Sequence, residues 1–246
     1  MWHSLGVIVL SLTLPVDGAA DEKKKSASAS EDDRPFVRLV PNLARDVISI
    51  PSRQSLLLLI AGTASAAALS TRDASAQQWA VRVGRSQATD VGSAAGEGWV
   101  QGTIALGTYV AGAVSGHRAI THIGSDFVRA QVLNGLVTGG LKVSVDRIRP
   151  NGGEFSFPSG HTSATFATAA VLHGHYGLKV GVPAYAFAAF VGWSRVREGK
   201  HWASDVAAGA TLGTIVGLTV TSGHRERGWT VTPTPTAGGF AIVVTR

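Results

Sequence analysis

The chain has 246 residues, 15% of them charged and 30 of them Gly, which fits one domain with a close-packed core and argues against a heavily solvated surface. It holds no cysteine, so disulfides, thiolate metal sites and a cysteine nucleophile are excluded. A formal charge of +6 favours anionic partners, and without a dense Lys/Arg patch interleaved with aromatics nucleic acid is not expected among them.

Residues 1–20 read as a signal peptide. An apolar run spans 5–14, Pro15 breaks it, and Gly18-Ala19-Ala20 offers small residues for cleavage near Ala20. That run is far short of the roughly 20 residues a membrane anchor needs. Residues 21–34, opening DEKKKSASASEDD, mix charges with small polar residues and predict a disordered spacer. A helical domain is expected over 35–223. It opens with a short amphipathic piece between Leu43 and Ile50 and continues as six long helices at 54–70, 98–116, 127–143, 159–176, 178–194 and 202–221. Between the first two, residues 71–97 are polar and predict a loop with at most a small helix near 77–83. Small residues four apart, Gly135/Gly139 and Gly209/Gly213, predict close helix approach. Residues 224–246 change character: a Pro/Thr linker (TVTPTPT, 230–236) precedes an apolar, β-branched stretch at 240–245 that could form a terminal strand. The fold class is therefore all-α, a six-helix bundle with a short extended C-terminal tail.

Uncharged runs reach 18 residues at 54–71, 19 at 98–116 and 18 at 206–223, but only 12 at 130–141 and 11 at 162–172. A mean hydropathy of 0.19 lies between the soluble and the polytopic membrane range. The short runs favour an exported globular bundle, periplasmic or on the periplasmic face of a membrane, with an integral inner-membrane protein of six spans as the alternative.

Chemistry-bearing residues fall in three groups. Lys142 is followed after six residues by Arg149-Pro150, then comes Pro158-Ser159-Gly160-His161, then Ser194-Arg195, five residues, His201, three residues and Asp205. Pro150 disfavours helix at Arg149 and leaves its guanidinium near a turn. Ser159 sits where an N-cap belongs, so free N–H groups and the positive helix end face the loop, and Gly160 leaves room for an anion. His201 and Asp205, four apart, would share a helix face, letting the carboxylate accept Nδ1–H and leave Nε2 bare for in-line attack. Each group alone has a bland reading: cations complementing a helix C-terminus, an ordinary capped helix start, a surface His/Asp pair. Together they supply oxyanion neutralisation, a nucleophile and a proton donor.

This three-part pattern resembles the type 2 phosphatidic acid phosphatase and vanadium haloperoxidase superfamily. The motifs cover 64 residues, and the surrounding helices extend the resemblance over about 53–221. The resemblance implies a metal-independent phosphatase without a cofactor, hydrolysing a phosphomonoester or pyrophosphate of a lipid or small phosphoester. It makes His201 the nucleophile that carries a phosphohistidine, Asp205 its orienter, and His161 the acid to the leaving alkoxide. Lys142, Arg149, Ser159, Gly160 and Arg195 would hold the phosphate. Two rival readings are a vanadate-dependent haloperoxidase, with His201 on vanadium, and a non-catalytic phosphate or lipid-headgroup binding protein. Elsewhere, His173 and His175 read as a helix-end pair rather than a metal tract, and His117 and His122 carry no assignable role. Trp193 and Trp202 read as packing residues. Arg147, Arg197 and Lys200 are extra cations near the motifs, solvated or reaching a second anionic group.

Overall fold

The computed structural model describes residues 36–83, 86–222, 230–236 and 239–245. The expected signal peptide and spacer lie outside the described residues, as do 223–229 at the start of the linker. A 3-10 turn at Phe36–Arg38 leads into α1 (Leu39–Ser49). Eight further helices follow among the described residues: α2 (Arg53–Ser70), α3 (Asp73–Val83), α4 (Gln87–Ala95), α5 (Gly98–Ser115), α6 (Arg118–Val145), α7 (Gly160–Tyr176), α8 (Leu178–Arg197) and α9 (Ala203–Ser222). Strands β1 (Thr230–Thr236) and β2 (Gly239–Thr245) close as an antiparallel hairpin that pairs Thr230 with Thr245.

The six long expected helices correspond to α2 and α5–α9. Three features differ. The stretch 71–97 holds two helices: α3, which contains and extends the small helix expected near 77–83, and α4, where only loop was expected. α4 is started by Ser86 and Thr89 in a reciprocal capping box, a signal that the polar composition hides. α6 begins at Arg118, nine residues before 127, because Thr121, Ser125 and Asp126 are buried helix residues rather than loop residues. The 230–236 linker is itself a strand. Pro233 pairs with Ile242 and Pro235 with Phe240, so both prolines lie on the same side of the strand.

α9 is the central element, packed on α7, α2, α6 and α8. Its seam with α7 is glycine-built: a Cβ on Gly213 would lie 2.1 Å from the Ser163 carbonyl oxygen, and one on Gly209 would lie 2.5 Å from that of Ser159. By contrast Gly135 and Gly139 face open space, so that half of the close-approach expectation is corrected. Their side of α6 points outward while Leu133, Asn134 and Thr138 point in.

The apolar core is modest, built from Ala105, Ile123, Phe127, Ala130, Leu133, Ala167, Val171, Val216 and Val220. Around it the interior is polar. Arg129, 1% exposed, bridges Asp46 of α1 and Asp126 of its own helix, and His175 Nε2 lies 2.8 Å from Asp126 Oδ2. Ser163 donates to the Asn134 side chain, and Gln131 donates to Thr168 Oγ1 at 2.9 Å. The outward faces carry the large aliphatics instead: Leu57 and Ile60 on α2, Leu106 and Val114 on α5, Leu136 on α6, Val182 on α8.

Candidate active site

The α7–α9 seam sets two helix N-termini side by side, joined where the Ser159 N–H donates to the Asp205 carbonyl at 3.1 Å. The C-terminal ends of α6 and α8 deliver the cations to this place. Lys142, in the last turn of α6, lays its stem against Gly160, with Cε 3.7 Å from where a Cβ would be. Its Nζ donates to the Phe155 carbonyl at 2.7 Å. Arg149 sits in the loop that follows and donates from Nε to the Glu154 carbonyl at 2.8 Å. Arg195, near the end of α8 and almost buried, donates from Nη1 to Glu198 Oε2 at 2.8 Å.

His201 stands in the loop between α8 and α9, 2% exposed. Its Nδ1 lies 2.6 Å from the Ser156 carbonyl oxygen. A carbonyl can only accept, so Nδ1 carries the proton and Nε2 presents its lone pair. Burial, then the charges of Lys142, Arg149 and Arg195, push the imidazole pKa down to about 2, against the opposing hydrogen bond to Ser156. The ring is therefore a neutral base, and the three cations of the sequence pattern all act on it.

Asp205 is not the direct partner of Nδ1: its Oδ2 is 3.9 Å away. The expected one-face pairing fails because His201 precedes the helix, which starts at Ala203, so helical i, i+4 geometry does not apply. The Asp205 carboxylate instead turns back and accepts the Trp202 N–H at 2.9 Å, as an acidic residue at the third helical position can. It also accepts the Ser156 hydroxyl and, at 2.6 Å, Arg147 Nη1. Asp205 thus steadies the loop whose carbonyl holds His201.

Arg147 is engaged in the fold. It bridges Asp205 and Asp73, donates to Ser204 Oγ at 2.7 Å, and lies 5.5 Å above the Trp202 ring. Burial pulls its pKa down, but the hydrogen bonds and charges of Asp73 and Asp205 outweigh it and leave the pKa raised. Asp73, at the start of α3, also accepts the Ser204 N–H at 3.0 Å. Neither Asp73 nor Ser156 was singled out in the sequence. An acidic residue opening a helix was the one visible signal for Asp73, and for Ser156 there was none.

Ser159 takes the N-cap position of α7, but its side chain does not cap. Thr162 Oγ1 donates to it at 2.9 Å, which leaves its own hydroxyl proton and the first N–H groups of α7 for an anion. His161 follows in the first turn, its Nε2 3.1 Å from Glu97 Oε1. The weaker sequence candidates lie elsewhere or are committed. His173 and His175 are at the far end of α7, and Trp193 packs against Trp79 with ring centroids 5.0 Å apart. Arg197 donates to the Val83 carbonyl at 3.2 Å.

The family model of the PAP2 superfamily matches residues 151–229, a span that holds His161, Arg195, His201 and Asp205 but not Lys142 or Arg149. A lipid A 1-phosphatase of Porphyromonas gingivalis is 42% identical over 97 residues, covering 38% of this chain and 22% of that relative's length. Two solved structures share the fold at 21% identity. One is the transmembrane PAP2-type phosphatidylglycerolphosphate phosphatase of Bacillus subtilis, with a TM-score of 0.50 over 71% of this chain and 96% of that one. The other is Aquifex aeolicus LpxE, with a TM-score of 0.51 over 61% and 94%. Motif, matched segment and bundle agree: residues 151–229 match the PAP2 superfamily, and the helical fold is similar to that of PAP2-type phosphatases.

Proposed function

We propose that this chain is a metal-independent phosphatase that hydrolyses the phosphomonoester or pyrophosphate bond of a lipid phosphate through a phosphohistidine at His201. The observation that carries the reading is the buried, neutral imidazole whose Nδ1–H is held by the Ser156 carbonyl while Lys142, Arg149 and Arg195 converge on it. The phosphoryl oxygens would lie among these cations, the Ser159 hydroxyl and the N–H groups opening α7. Charge that builds on them in the transition state would meet donors already in place. His201 Nε2 gives its lone pair to phosphorus as the bond to the leaving oxygen breaks, and His161 passes that oxygen a proton. Water then attacks the phosphohistidine, neutral His161 takes its proton, and phosphate leaves with Nε2 restored.

A lipid substrate is supported by the relatives' activities and by the outer surface of the bundle. Leu57, Ile60, Leu106, Val114 and Leu136 face outward while Asp126, Arg129, Asn134 and Ser163 face inward, the reverse of an aqueous globule. The six long helices run 17 to 28 residues, about 25–42 Å, against a hydrocarbon core of about 30 Å. Trp79 and Trp99 are exposed near the catalytic end and Tyr176 near the other, as in interfacial aromatic belts. By hydropathy, Ala203–Ser222 is the one described helix that reaches a membrane-span value, and it is 56% buried. We therefore place the bundle in the bilayer with its catalytic end at the far face of the inner membrane, rather than as a free periplasmic globule.

The test is phosphate release from phosphatidic acid and lipid A by the purified full chain in detergent with excess EDTA. Expected are turnover, inhibition by vanadate, and an acid-labile phosphoenzyme that His201→Ala abolishes. Loss of turnover in EDTA with rescue by magnesium or zinc would overturn the mechanism.

A further inference from the structure

We infer that Glu97, outside all three sequence motifs, is the positioning residue of the proton-donating step: its carboxylate faces the buried Nε2 of His161, orients the imidazole and stabilises the imidazolium that gives its other proton to the leaving oxygen. The inference rests on the proposed phosphatase reading. Glu97 occupies the N-cap position of α5 in extended backbone (φ −60°, ψ 135°), yet its side chain makes no cap to that helix. The carboxylate turns away from α5 and lies 3.1 Å from His161 Nε2, near enough for an ion pair though not aligned as a hydrogen bond.

The neighbouring backbone is built around the same ring. A Cβ on Gly96 would fall 3.0 Å from His161 Cβ and 3.2 Å from Cδ2, so the α4–α5 junction runs directly against the imidazole. Gln101, buried one turn into α5, pins this junction. Its Nε2 donates to the Ala95 carbonyl at 2.8 Å, and its Oε1 accepts Thr168 Oγ1 of α7 at 2.6 Å. Glu97 is thereby tied to the helix that carries His161.

The other charges facing His161 are Arg195 and Glu198, which are paired with each other at 2.8 Å. Glu198 also accepts the Ser93 hydroxyl, so its charge is committed to holding Arg195. Glu97 is the carboxylate in ion-pair range of the imidazole, and a carboxylate there favours the imidazolium that a basic leaving group requires. No atom of Glu97 need touch the substrate. It acts through His161.

The experiment compares wild type, Glu97→Gln and Glu97→Asp as full chains in detergent on two substrates. Phosphatidic acid has a basic alkoxide leaving group, and p-nitrophenyl phosphate has an activated one. Glu97→Gln is expected to lower kcat on phosphatidic acid about tenfold with KM within about twofold, and to move the alkaline limb of kcat about one pH unit lower. On p-nitrophenyl phosphate the loss should stay within about twofold, and Glu97→Asp should recover most of kcat. Equal losses on both substrates, or an unmoved alkaline limb, would overturn the inference. NMR titration of the His161 ring supplies a readout that does not need turnover. A lower midpoint in Glu97→Gln than in wild type supports the pairing, and equal midpoints overturn it. If wild type releases no phosphate from either substrate, it is the phosphatase reading that fails, while the titration still decides the Glu97–His161 pair.

Discussion

At the scale of single residues, the site separates holding a tautomer from supplying a charge. The Ser156 backbone carbonyl fixes the His201 proton, and no side-chain substitution removes it. Ser156→Ala deletes only the hydroxyl that reaches Asp205, at a cost of about 1 kcal/mol in stability, and should keep activity within about tenfold of wild type. Asp205→Asn removes the charge that Arg147 and the start of α9 share, and should cost more, on the order of 2 kcal/mol, with a larger fall in kcat. Thermal melting and phosphate release of the two variants check this order. If the variants are equal, Asp205 has no role beyond its contact with Ser156.

His201 also sets a pH dependence. Its folded pKa is depressed to about 2 from an ordinary 6.5, so the unfolded chain binds the proton first as pH falls. The stability from this group is complete above about pH 6.5 and drains away between there and about pH 2. Melting temperature from pH 7 to 4 should therefore fall more steeply in wild type than in His201→Gln, whose side chain does not titrate. Parallel curves would show that His201 is not held neutral.

At the scale of elements, the positions of α7 and α9 depend on a seam without side chains. Gly213→Ala would drive a Cβ to within 2.1 Å of the Ser163 carbonyl oxygen. Backbone cannot yield as a flexible side chain does, so a loss of about 1–3 kcal/mol and a displaced Ser159–His161 turn are expected. Gly135→Ala, on the outward face of α6 with nothing within 4 Å, should instead be neutral or stabilise by up to about 1 kcal/mol through helix propensity. Differential melting of this pair tests whether the seam, rather than glycine content in general, positions the site.

For the whole molecule, the decisive property is which face of each helix is apolar, not how apolar each helix is. A Lys at Leu57 or Leu106 would be nearly neutral on an aqueous surface, within about 0.5 kcal/mol. In a bilayer it costs about 2.5–3.5 kcal/mol at the helix centre. Both substitutions should sharply reduce the protein recovered in the membrane fraction, and wild type should stay in the pellet after alkaline carbonate extraction. Release of wild type by carbonate would restore the exported globular reading.

The sequence alone determined the six long helices, because their apolar stretches are bounded by Gly, Pro and charges, and it determined the eleven-position set from Lys142 to Asp205 that carries the superfamily resemblance. These are local signals: a helix start, a cap position, a spacing. Tertiary structure decided the rest. The first turn of α3 and the buried first third of α6 read as loop because polar residues such as Asp73, Ser125 and Asp126 look solvated until a partner from a distant segment is present. The Ser156 carbonyl and the bridge from Asp73 through Arg147 to Asp205 join residues up to 132 positions apart in the chain, and no periodicity announces them. The exposed outer faces likewise emerge only when the helices are packed. A helix rich in Ala, Gly and Thr carries weak hydropathy on every side, and only its neighbours fix which side meets the surroundings.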